Sequence, residues 1–123
     1  MKKRNKLCKK FYEPLFKVEV WLLTGYEPVE IEKWFKSRKI ERDDQIDISE
    51  DIGGYWRIPE NSKYPHIVWV RKFDNYYTLT HELVHLALAI MKNKGIPVDL
   101  ANEEMIAYLV EYYVKTFWRE ISK

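Results

Sequence analysis

The chain has 123 residues and a mass of 15.0 kDa, enough for one domain built around one core. Hydrophobic residues make up 46%, charged residues 33% and aromatic residues 15%, a balance that excludes a disordered chain and predicts a core rich in tyrosine and tryptophan. The net formal charge is only +2, and the longest apolar run, Leu86–Met91, falls far short of the roughly 18 residues that a membrane-spanning helix needs.

The charge is unevenly placed. Six bases (Lys2, Lys3, Arg4, Lys6, Lys9 and Lys10) stand in the first ten residues, and removing them from the net +2 leaves −4 on the remainder. Residues 1–10 therefore read as a basic arm, able to touch nucleic acid or an acidic partner. The expected state is a solvated, frayed terminus, with nucleic acid not the main partner. No apolar stretch follows the bases, because Lys9, Lys10, Glu13 and Lys17 interrupt it, so no secretory signal is read and a cytoplasmic location is expected. Cys8 is the single cysteine, which excludes an internal disulfide framework.

Residues 16–23 alternate, with Phe16, Val18, Val20 and Leu22 on one face, and predict a strand. Pro28 opens a short helix over about 27–38, carried by Ile31, Trp34 and Phe35. Residues 39–54 are polar and acidic, end in Gly53-Gly54, and read as a loop or lid. Asp43, Asp44, Asp47, Glu50 and Asp51 lack the glycine that a calcium-binding EF-hand loop places at its turn, so they read as a solvated surface. Two β-rich runs, Tyr55–Ile58 and His66–Val70, predict neighbouring strands joined by a turn.

A helix follows over about 75–93, with Leu79, Leu83, Leu86 and Ile90 in one stripe and Gly95 and Pro97 as its stop. Asp99 is placed to cap a last helix reaching about Arg119, whose buried face carries Ile106, Leu109, Val110, Tyr113 and Phe117. The order β-α-β-β-α-α, with strands and helices segregated, predicts an α+β domain: a small, mostly antiparallel sheet packed against two C-terminal helices.

The chemistry lies in His81-Glu82-Leu83-Val84-His85, which holds two of the three histidines. On a helix, positions i and i+4 lie on one face with Cβ atoms about 5–6 Å apart, so both imidazoles can reach one zinc ion. Glu82 falls off the ligand line and is placed to act on water at the metal. Zinc needs a third protein ligand. The extended pattern HExxHxxGxxH fails, because Leu88 and Met91 occupy its last two positions. A carboxylate from the last helix, which opens Asn102-Glu103-Glu104, is the other source, since the Gly95–Pro97 turn folds that helix back.

HELVH followed by NEEMIAYLVEYY resembles the gluzincin class of zinc metallopeptidases, over about residues 55–115. The compact size is similar to that of small metallopeptidases encoded by phages and other mobile elements. The resemblance implies a zinc-dependent hydrolase of peptide bonds, with Zn2+ held by His81, His85 and Glu104 and with Glu82 as general base. Glu104 is preferred because Ala107 completes E-x-x-A; Glu103, in an N-E pair with Asn102, is the alternative. Larger gluzincins place an aspartate where this chain has Tyr108, which makes Tyr108 a residue that can steady an imidazole. Larger relatives also stabilise the oxyanion with a histidine or tyrosine from a further domain. Tyr76, Tyr77, Tyr108, Tyr112 and His66 are the local candidates here. The strand His66–Val70, if it lies at a sheet edge, can hold an extended substrate by backbone pairing. The expected partner is a peptide or protein substrate, with no membrane partner. The alternative is a catalytically silent, gluzincin-like interaction module that docks a protein or nucleic acid.

Overall fold

The computed structural model of the chain describes residues 6–38, 52–57, 66–72 and 75–122. Among these residues four strands and three α-helices follow one another: β1 (Leu7–Glu13), β2 (Val18–Thr24), α1 (Pro28–Ser37), β3 (Gly53–Arg57), β4 (His66–Val70), α2 (Tyr76–Asn93) and α3 (Glu103–Ile121). The strands form one sheet in the order β1-β2-β4-β3. The β1–β2 and β3–β4 pairs are antiparallel and β2–β4 is parallel. The domain is α+β with a mostly antiparallel sheet, as the sequence predicts.

Period-two alternation decides which side chains enter which layer. Val18, Val20 and Leu22 of β2 and Val68 and Val70 of β4 face α2 and α3, where Leu79, Leu83, Leu86, Ile90, Leu109, Tyr113 and Phe117 complete the main core. Leu23, Ile67 and Trp69 point to the opposite face and meet Ile31, Trp34 and Phe35 of α1. Three layers result, because β2 and β4 lie inside the sheet and bury both faces. In the second core the Trp69 indole N–H donates to the Tyr26 carbonyl at 2.8 Å, which satisfies the polar atom of a fully buried ring.

Four expectations change. The basic arm is not a frayed terminus as far as residue 10: from Leu7 onward it is the edge strand β1. Phe11 packs on Phe117 with ring centroids 4.8 Å apart, and Lys9 reaches Glu120 at 2.8 Å. The β2 strand begins at Val18, because Lys17 takes a left-handed φ of 57° and Phe16 belongs to the turn after β1. That turn is fastened by Glu13, a fully buried carboxylate that accepts from the Leu15 and Phe16 backbone N–H groups at 2.9 and 2.6 Å. Gly53-Gly54, read as the end of a loop, are the first residues of β3. Asp99 precedes a short 3-10 turn, Leu100–Asn102, and accepts from the Asn102 side chain at 3.2 Å; it makes no side-chain cap on α3, which starts at Glu103. The acidic residues Asp43 to Asp51, the turn between β3 and β4 and the first five residues lie outside the described residues.

Candidate metal centre

The α2 helix is fixed at its start by Asn75, whose side chain accepts from the Thr78 backbone N–H at 3.0 Å. Leu79, Leu83, Leu86, Ala87, Ile90 and Met91 are buried, so the helix can turn only one way on the sheet. That rotation sets His81, Val84 and His85 outward, all exposed, while Glu82 points sideways and is only 8% exposed.

The two imidazoles converge. Their Nε2 atoms are 3.2 Å apart, with ring centroids at 4.8 Å and planes at 75°. Two nitrogens bonded to one tetrahedral zinc at about 2.0–2.1 Å stand roughly 3.3 Å apart, so the observed spacing fits that ion. His81, Glu82 and His85 each offer a ligand atom, all within 4.8 Å of one another, and this group can hold a metal ion.

The strand β3 lies alongside Glu82. A Cβ built at Gly53 would stand 2.5 Å from Thr78 Cγ2, 2.8 Å from the Trp69 carbonyl oxygen and 3.7 Å from Glu82 Oε2. Gly53 has no left-handed backbone, so close approach is what selects glycine: only a hydrogen fits where β3 meets the helix. The sequence signal was the Gly-Gly pair just before a β-rich run, and its role as a contact with the next helix was not visible there.

The remaining candidates are spread over the fold. Glu103 and Glu104 are exposed in the first turn of α3, and neither belongs to the three-residue group. Tyr108 turns to the end of β1 and donates its hydroxyl to Glu13 Oε2 at 2.8 Å. That bond, with some burial, pushes the Tyr108 phenol up to about 12, because the bond needs the proton. Tyr112 packs between Tyr108 and Tyr113. Tyr76 packs on Trp118 with centroids 4.0 Å apart, and Tyr77 is 88% exposed. His66 is buried at 1% exposure, with Nδ1 at 2.7 Å from the Tyr55 hydroxyl. The sheet edge is also reassigned: β4 lies between β2 and β3, and β3 is the edge strand beside the histidines. No helix among the described residues is long and apolar enough to cross a membrane.

Compared with known protein families, curated proteins and solved structures, the chain matches none of them.

Proposed function

We propose that this protein is a zinc-dependent peptidase, in which His81 and His85 hold the metal and Glu82 moves the proton. The observation that carries the reading is the 3.2 Å convergence of the two Nε2 atoms on an exposed helix face, with a mostly buried carboxylate beside them. A histidine pair that merely decorated a surface would have no need of that convergence or of a sheltered carboxylate one residue along.

Zinc, when bound, supplies Lewis acidity for water and for the peptide carbonyl. The Glu82 carboxylate accepts a proton from the water as its oxygen bonds to the carbonyl carbon. It then gives that proton to the amide nitrogen as the C–N bond breaks, so Glu82 ends as it began. The edge strand β3 offers backbone groups on its outer side, along which an extended peptide can pair next to Glu82. The third ligand is assigned to Glu104, with Glu103 as the alternative, on the E-x-x-A resemblance alone. The carboxylate of Glu82, already within reach of both histidines, is the competitor to that assignment.

Metal content of purified protein, together with peptide cleavage, tests the reading. About one zinc per chain is expected, lost in His85→Ala and Glu104→Ala and kept in Glu103→Ala. Glu82→Gln should keep the zinc and lose turnover. Zinc lost with Glu82→Gln would make Glu82 a ligand and remove its role as base. No zinc after reconstitution would refute the proposal and favour an interaction module.

A further inference from the structure

We infer that the groove where α2 turns into α3 seats an apolar side chain of the peptide, two or three residues from the bond that is cut. The inference rests on the peptidase reading and adds to it a substrate preference. The groove is open to solvent, offers about 510 Å³ and is lined by Leu88, Lys92, Gly95, Ile96, Pro97 and Val98. That volume falls within the about 300–1,000 Å³ typical of ligand clefts.

Three observations connect the groove to the histidines. The first is helical phase. At 3.6 residues per turn, His81, Val84, His85, Leu88 and Lys92 lie on one stripe, so the groove continues the face that carries the metal site. Val84, between the two histidines on that stripe, is apolar and 38% exposed. The second is distance. Leu88 and Lys92 lie about 4.5 and 10.5 Å beyond His85 along the helix axis. An extended peptide advances about 3.3 Å per residue, so one that runs along the helix axis sets its second or third residue from the metal-bound position over the groove.

The third observation is that the groove wall is built rather than loose. The Ile96 N–H donates to the Met91 carbonyl at 2.9 Å and the Gly95 N–H to the Lys92 carbonyl at 3.1 Å. The Asn102 side chain donates to the Pro97 carbonyl at 2.9 Å. Gly95 takes the left-handed φ of 74° that the turn requires, and a Cβ there would meet nothing within 4 Å, so this part of the groove is open. Val98, which follows these held residues in the groove wall, is 53% exposed, an apolar exposure that gains nothing for the fold. Among the described lining residues Lys92 alone is charged, and it selects a carboxylate next to the apolar side chain.

The experiment uses the full chain loaded with zinc and a positional-scanning peptide library, with cleavage sites read by mass spectrometry. Val98→Glu and Lys92→Glu are run in parallel, with zinc content as the check that the fold is kept. The expected result is a preference of about tenfold or more for Leu, Met or Phe over Ser at one position, two or three residues from the cut bond. That preference should fall below about threefold in Val98→Glu, and an acidic neighbour should be favoured by wild type but not by Lys92→Glu. Cleavage without such a preference, or with one that Val98→Glu leaves intact, overturns the groove assignment while the peptidase reading stands. Zinc bound without cleavage of any peptide refutes both. Concentration-dependent self-association that Val98→Glu abolishes would show that a second copy of the chain occupies the groove, and would also overturn the assignment.

Discussion

Tyr108 and Tyr113 sit five residues apart on α3, and their hydroxyls should respond in opposite ways to removal. Tyr108 donates at 2.8 Å to Glu13, a carboxylate with no exposure that also fastens the turn after β1. Tyr108→Phe leaves that buried carboxylate one donor short. A hydrogen bond to a charged group contributes about 1.5–3 kcal/mol, so the variant should lose about that much stability. For a domain of this size 1 kcal/mol moves Tm by about 3–5 °C, which gives a fall of about 5–15 °C. The Tyr113 hydroxyl, by contrast, is buried with no hydrogen-bond partner among the described residues, and burial holds its phenol well above the ordinary range. Tyr113→Phe removes a desolvated polar atom and should be neutral or stabilising. Thermal unfolding followed by circular dichroism measures both. An alkaline series adds a sign test for Tyr108. Its phenol is raised from about 10 to about 12, so its bond contributes fully below pH 10 and is lost as pH climbs through 12. Tyr108→Phe should lack that part of the alkaline loss. A Tm change under about 2 °C in Tyr108→Phe, or an equal fall in Tyr113→Phe, would refute the reasoning.

Two further substitutions probe the layers around the candidate site. Gly53→Ala forces a Cβ to 2.8 Å from the Trp69 carbonyl and 2.5 Å from Thr78 Cγ2. It should cost about 1–3 kcal/mol and, on the proposed metal site, weaken zinc retention by moving the helix that carries His81 and His85. Thr78→Ser should recover part of that loss in the double variant, and denaturant unfolding with a zinc titration would show whether it does. Trp69→Phe empties space in the second core and strands the Tyr26 carbonyl that the indole N–H satisfies. A loss of about 2–4 kcal/mol is expected in urea unfolding, and a loss below about 1 kcal/mol would mean that the α1 layer contributes little.

Sequence periodicity alone determined the three helices. Leu79, Leu83, Leu86 and Ile90 repeat at helical spacing, and every one of them is buried. The same periodicity orients His81 and His85, because a helix that must bury one stripe has no choice about the other. The interior strands were legible for a related reason, since β2 and β4 alternate between two apolar faces. The edge strand β1 was not. Its inward face carries Lys9 and Glu13, whose partners Glu120 and Tyr108 lie 111 and 95 residues away. A charged residue reads as solvated until its distant partner is known, so the first four residues of this strand, Leu7 to Lys10, pass for part of a basic arm. The parallel pairing of β2 with β4 was hidden likewise, since register between strands so far apart depends on the whole packed core. That pairing is what moved the sheet edge from β4 to β3 and brought Gly53 against Glu82. Local spacing wrote the converging histidine pair into the sequence; long-range pairing, which no window of residues contains, decided which strand stands beside it.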